Sequence, residues 1–186
     1  SGVRFADAPV ARTRQAAIDG TLSIMDGGDA GLFETLRPIL AAAATEITHC
    51  GPVGCGQAVK VLNNMVLFQT VVALAEALAI GTKAGVDGQT LFETLSRGSA
   101  DSFALRNHGM KAVLPDEFPE GAFPTDYAIK DADYALALAQ DTGVTALGAQ
   151  LARDILKETS TAGFADNYWP VLSRIVKSGR AARLRK

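Results

Sequence analysis

With 186 residues, 48% of them apolar and 20% charged, the chain has room for one medium domain or a domain with part of another, and it is too apolar to be a disordered protein. A formal net charge of −2 argues against a nucleic-acid binder, because no basic excess exists to displace counterions from phosphates. Two cysteines, Cys50 and Cys55, are too few and too close for a disulfide framework, and with His49 and His108 as the only histidines no zinc set is completed. Both cysteines therefore read as reduced, small core residues.

The first residues, "SGVRFADAPV", begin as a strand without an initiator Met, which points to a shortened form of a longer protein. The β-like run "VRFADAPV" ends around Pro9, and "TLSIMDGG" reads as a second strand closed by a Gly-Gly turn. "GLFETLRPILAAAA" carries Leu32, Phe33, Leu36, Ile39 and Leu40 at helical spacing, with Pro38 predicting a kink or an early break. "TEITHC" supplies a third strand. Three strands with one helix leave an apolar face and an edge uncovered, so further elements or a partner chain are expected there.

After Gly51 the strand pattern stops. From Gln57 to about Ala84 the sequence supports one helix, on the order of 40 Å long. It is apolar on nearly all sides through "MVLFQTVVALAEALAI" and is expected to run through a domain centre. The stretch from Met65 to Ile80 falls short of the ~20 residues of a membrane span and carries Gln69 and Glu76. With no signal peptide either, the expectation is a cytoplasmic protein without membrane contact. Asp87 is a plausible cap for the next helix, "DGQTLFETLSRGS". A Pro/Gly-rich loop follows, then a helix from roughly Pro124 to Thr142 and two more in "TALGAQLARDILKETSTAG" and "NYWPVLSRIVKSG". The basic end, "KSGRAARLRK", reads as a solvated tail. Ser96, Ser99 and Asp101 share a polar loop, either a cleft border or ordinary loop chemistry.

"GPVGCGQAVKVLNN" opens the long helix with three glycines and a polar pair. Lys60 and Asn64 are four residues apart and share one helix face, with Asn63 beside them. The glycines permit a tight turn and a close backbone approach to a ligand. Near the positive end of the helix dipole, in apolar surroundings, an ammonium is disfavoured, which is the direction a lysine general base requires. Asn64 brings a donor and an acceptor to orient a hydroxyl or carbonyl. The same spacing also suits a lysine snorkelling to water and an asparagine satisfying a neighbouring loop.

This stretch resembles the G-x-x-G-x-G-x-x-x-K-x-x-x-N signature of the β-hydroxyacid dehydrogenase family, of which phosphogluconate dehydrogenase is a larger relative; Gly51, Gly54, Gly56, Lys60 and Asn64 fill every fixed position. "ADAPVARTRQAAIDGTLSIMDGG" resembles the family's substrate segment, and "FPTDYAIKDADYAL" resembles its F-x-x-x-L-x-x-K-D-L segment. The resemblance implies a mainly α fold: an all-helical domain of the phosphogluconate-dehydrogenase type, residues 53–186, preceded by the last strands of a Rossmann α/β domain, residues 1–52. The G-x-G-x-x-G turn that would hold most of the cofactor is not in this chain, so the chain alone is expected to be inactive.

For the longer protein, the resemblance implies an NAD- or NADP-dependent oxidoreductase that interconverts a small anionic hydroxy acid and its semialdehyde. Lys60 would be the acid/base and Asn64 its catalytic companion. Asn63, Ala11, Arg12 and Thr13 would face the substrate, and Lys130 and Phe123 the cofactor, with no metal. Where most of the family has Ser-Gly-Gly, this chain has Ala11-Arg12-Thr13. The arginine offers a bidentate anion clamp in place of glycine amides, and a sulfonate-handling member of the family has a similar Arg-Thr. An exposed surface arginine is the alternative, with Arg14 beside it. Asp26 stands where an apolar residue is usual. A homodimer or homotetramer is the expected assembly. The competing readings are a phosphogluconate-type dehydrogenase domain and a non-catalytic helical dimerisation module.

Overall fold

The computed structural model describes residues 2–179, so the tail at 180–186 lies outside the described residues. The chain divides into two compact units, the first ending at Asn63 and the second beginning at Asn64. The architecture is mainly helical with one small sheet, as the sequence predicts.

In the first unit, β1 (Val10–Ala11), β2 (Leu22–Asp26) and β3 (Ala44–His49) form a sheet in the order β1-β2-β3. β1 runs antiparallel to β2, with Val10 opposite Ile24, and β2 runs parallel to β3, with Asp26 opposite His49. The short helix α1 (Arg14–Ile18) joins the first two strands, and α2 (Ala30–Leu40) makes the crossover between the parallel pair. Asp29 caps α2, its carboxylate accepting from the Leu32 amide at 3.1 Å. Pro38 lies inside α2, which closes two residues later, at Leu40. The early break expected of that proline is what is found.

The strand expected over residues 3–10 shrinks to β1. Pro9 has no N–H to give a ladder, and its carbonyl alone is used, accepting from Met25 N at 3.1 Å. Before it, Asp7 and Gly27 exchange backbone bonds of 3.0 and 2.8 Å as an isolated bridge. Cys50 and Cys55 are free thiols, half-buried rather than the core residues expected. Burial pushes the Cys50 thiol up, with Cys55, Asp26 and Asp7 adding to the effect.

Asp26 is fully buried on β2, and neither carboxylate oxygen finds a hydrogen-bond partner. Burial raises its carboxyl above the ordinary range; His49 opposes the shift and Asp7 reinforces it. Nothing in the structure explains an acid at this position.

The long helix α3 (Cys55–Lys83) spans 29 residues, close to its expected bounds. By length and composition it could cross a membrane, with a mean hydropathy of 1.8 over its most apolar window, so the short apolar run read from the sequence understates it. A core helix of a soluble protein passes the same test, and one side of α3 does serve as core. Phe68, Val71, Val72, Leu74, Ala75 and Leu78 are buried in the second unit. The other side is open, with Val59, Leu62, Val66 and Ile80 exposed by 41, 40, 57 and 68%. The expectation that α3 runs through a domain centre is therefore half right: a helix apolar all round has been covered on one side.

The rest of the second unit wraps that covered side. α4 (Gly88–Leu95) is capped by Asp87, whose carboxylate accepts from Thr90 N at 2.8 Å. A π-helical segment, Leu105–Val113, follows; its wider turn blurs the 3.6-residue period, so the residue pattern does not announce it. α5 (Thr125–Asp141), α6 (Leu147–Thr159), a π turn (Ser160–Phe164), a 3-10 turn (Trp169–Val171) and α7 (Leu172–Lys177) complete the unit. Small residues Ala128, Ala132 and Ala135 bring α5 close to its neighbours, around Phe68, Phe92, Leu105, Leu156 and Trp169.

His108, on the π-helical segment, is buried with its Nδ1 2.5 Å from the Tyr168 hydroxyl. Burial, with a smaller push from Lys111, lowers its imidazole to about 4, and burial raises the Tyr168 phenol to about 12. The pair is therefore neutral at pH 7, with the phenol donating to the imidazole.

Two stability measurements follow from these buried groups. The unfolded chain takes up a proton at His108 near pH 6.5 but the folded chain only near pH 4. This part of the stability is complete above pH 6.5 and is lost as pH falls to about 4, by roughly 3 kcal/mol in all. Urea titrations should show that fall flattened in His108→Gln. Asp26 has the opposite sign, since a raised carboxyl contributes below its unfolded value of 3.8 and costs stability as pH rises through the folded one. Asp26→Val should raise stability at pH 7 by roughly 1–3 kcal/mol, with the gain shrinking at pH 4.

Candidate active site

The first turn of α3 leaves amides that the helix itself does not satisfy; Cys55 N turns back to Pro52 O at 3.0 Å. The partner of two further amides comes from far upstream. Asp7 Oδ1 accepts from Gly54 N at 2.6 Å and Asp7 Oδ2 from Gln57 N at 2.7 Å. A carboxylate is favoured there by the helix dipole and by two charge-assisted bonds. Asp7 is itself fixed by its backbone bridge to Gly27.

That arrangement accounts for the glycines of the signature. Gly51 and Gly54 adopt φ of 122° and 96° in the turn. At Gly56 an added Cβ would lie 2.7 Å from Asp7 Oδ2 and 3.0 Å from Gly27 N, so any larger residue would push α3 off the sheet. The close approach the sequence assigned to a ligand is made to Asp7 and Gly27. Asp7 carried no role in the sequence reading; the signal available was its place at the head of the D-A-P stretch.

Lys60, half-buried, lies one turn before Asn64 on the same face of α3, and Asn63 beside them is exposed. Asn64 is 5% exposed, and its Nδ2 donates to Asp131 Oδ2 on α5 at 2.8 Å. Asp131 Oδ1 lies 3.8 Å from Lys130 Nζ. The Lys130 ammonium sits over the Tyr127 ring at 4.7 Å and over the Tyr134 ring at 5.9 Å. It borders an open groove of about 650 Å³ that also reaches Asp126, Asp133, Lys157 and Ser160. Phe123 packs on the helical core, its ring 6.3 Å from that of Phe68.

Ala11 is buried in β1. Arg12 has a φ of 86°, the left-handed region that glycine adopts without strain. Its Nη1 donates to Thr21 O at 2.6 Å and to Thr45 Oγ1 at 3.1 Å, at the starts of β2 and β3. Thr13 caps α1, accepting from Ala16 N at 3.2 Å. Ser96 closes α4, donating to Glu93 O at 2.8 Å, and Asp101 pairs with Arg106. Among the described residues, no group of three or more His, Cys, Asp or Glu side chains is arranged to hold a metal.

A family model described as the NAD-binding of NADP-dependent 3-hydroxyisobutyrate dehydrogenase matches residues 54–169, and one described as the NAD binding domain of 6-phosphogluconate dehydrogenase matches residues 1–51. The chain belongs to the β-hydroxyacid dehydrogenase family. Within that family it is 34% identical over 154 residues to a 2-(hydroxymethyl)glutarate dehydrogenase of Eubacterium barkeri, covering 81% of this chain and 51% of that protein. It is 32% identical over 183 residues to an NAD-dependent L-serine dehydrogenase of Pseudomonas aeruginosa, covering 94% of this chain and 60% of that protein. The structure of the Mycobacterium tuberculosis 3-hydroxyisobutyrate dehydrogenase with L-serine superposes with a TM-score of 0.83 at 32% identity, covering 92% of this chain and 60% of that one. The chain thus spans between about half and three fifths of the length of these β-hydroxyacid dehydrogenases.

Removing the remote cap tests the scaffold under the site. Asp7→Ala should destabilise the chain by roughly 1–3 kcal/mol in urea unfolding, through two lost charge-assisted bonds at the start of α3. Asp7→Asn, which keeps one acceptor, should lose less.

Proposed function

We propose that the protein carrying this chain is an NAD(P)-dependent dehydrogenase that interconverts a small anionic hydroxy acid and its semialdehyde. In this reading residues 1–52 are the end of the Rossmann domain, residues 53–186 are the helical domain, and the chain alone is inactive. The observation that carries the reading is the pairing of Lys60 and Asn64 on one face of α3, inside a family signature whose other fixed positions have structural reasons. Two of the named relatives act on hydroxy acids, which supports the substrate class.

The nicotinamide cofactor, when bound, supplies a hydride acceptor or donor for the substrate's carbinol carbon. In the oxidation direction the Lys60 amine takes the hydroxyl proton as the hydride leaves, and in reduction it returns that proton. Asn64 holds the substrate oxygen beside Lys60, and in this reading Asn63 and Ala11 are further substrate contacts. Lys130 fits a phosphorylated, planar cofactor: it offers a half-exposed positive charge between two exposed tyrosine rings. Phe123, just before α5, is the other cofactor contact in this reading and packs on the core.

Arg12 and Thr13 bind the anionic end of the substrate and so orient the carbinol carbon. The left-handed backbone of Arg12 supports this assignment. A non-glycine residue held there stores strain, and its guanidinium gives the site a charge that glycine could not. Both of its present bonds use Nη1. The exposed apolar stripe Val59, Leu62, Val66 and Ile80 supports a homodimer or homotetramer, and a cytoplasmic location goes with this reading.

The test is a turnover assay of the full-length protein with NAD(H) and NADP(H) against carboxylated and sulfonated semialdehydes. Lys60→Ala should abolish turnover, by at least about a hundredfold, while cofactor binding is retained. Turnover that survives the substitution would remove the acid/base assignment. In the same assay Arg12→Ala should raise KM for the preferred anionic substrate more than it lowers kcat.

A further inference from the structure

The Asn64–Asp131 bond does more than satisfy a buried amide. Asn64 is 5% exposed, and a primary amide in that setting has two hydrogens and one acceptor to place. An ionised carboxylate only accepts, so Asp131 decides which edge of the amide faces it: the Nδ2 edge, at 2.8 Å. A hydrogen bond to a charge thereby fixes the edge on which the Asn64 Nδ2 lies and, with it, the edge on which the carbonyl lies.

Both ends of the bond stand on rigid supports. On α3, Phe68 and Val71, four and seven residues beyond Asn64, are buried in the core; on α5, Ala128, Ala132 and Ala135 are buried around Asp131. The carboxylate is divided between two expected site groups, with Oδ2 on Asn64 and Oδ1 3.8 Å from the Lys130 ammonium. A purely structural contact between two helices would be as well made by an apolar pair, without the desolvation of a charge.

We propose that Asp131 is a positioning residue of the dehydrogenase: it locks the Asn64 amide in the orientation the substrate oxygen meets and draws Lys130 toward the same place. The assignment rests on the reading of Lys60 and Asn64 given above. Asp131 touches neither substrate nor reacting atoms; it acts through Asn64.

The test is a double-mutant cycle in the full-length dehydrogenase, with Asp131→Asn, Asn64→Ala, the double variant, and Lys60→Ala as control. Asp131→Asn keeps the shape but presents an amide that can pair either way round, so it should lower kcat by about ten- to a hundredfold with a smaller change in substrate KM. In the Asn64→Ala background the same substitution should have little further effect, and Asp131→Glu should recover part of the rate. Thermal melts establish that each variant is folded. If Lys60→Ala is inactive but Asp131→Asn keeps wild-type kcat, or its loss adds in full to that of Asn64→Ala, the positioning role is overturned and the dehydrogenase reading stands. If Lys60→Ala turns over normally, the reading itself fails and the role of Asp131 falls with it.

Discussion

The site side of this chain depends on one carboxylate reaching across the first unit. Asp7 takes two amides at the start of α3, and its own backbone is fastened to Gly27. The start of a 29-residue helix is thereby tied to the residue that follows β2. The requirement for glycine follows from that tie: Gly27 and Gly56 approach so closely around the Asp7 carboxylate that neither has room for a Cβ. A motif that looks built for a ligand is, at these positions, built for a cap.

The boundary between the two compact units falls within α3, between Asn63 and Asn64. Lys60 and Asn64 lie one turn apart on one face of α3 by helical geometry alone. Asn64 is then anchored sideways, through Asp131, to α5.

Two buried ionisable groups show opposite uses of burial. His108 is neutral, bonded to Tyr168 and surrounded by aromatic rings, so its desolvation is matched by a strong partner. Asp26 is also closed off from solvent but has no hydrogen-bond partner at either oxygen. The first is an ordinary core polar pair, whereas the second works against the sheet it sits in at neutral pH.

Much of the helical layout was legible because it is local. Period and capping residues placed α3, α4 and α5 to within a few residues, and Asp87 caps α4 as its position before the apolar run implied. The spacing that puts Lys60 and Asn64 on one face is a property of any helix and needed no fold. The strand before β2 was overread, since a pattern of alternating residues does not show whether a ladder partner exists. The π-helical segment escaped because its period is not the one sought. What tertiary structure alone decided are the long-range partners: Asp7 at the start of α3, 47 residues from Gly54, Asp131 on Asn64, 67 residues away, and Arg12 on Thr21 and Thr45. It also decided which half of an evenly apolar helix is covered. Sequence periodicity reports which residues share a face of one element; the identity of what meets that face is a fact about another part of the chain, fixed when the backbone amides and buried side chains find partners that water no longer supplies.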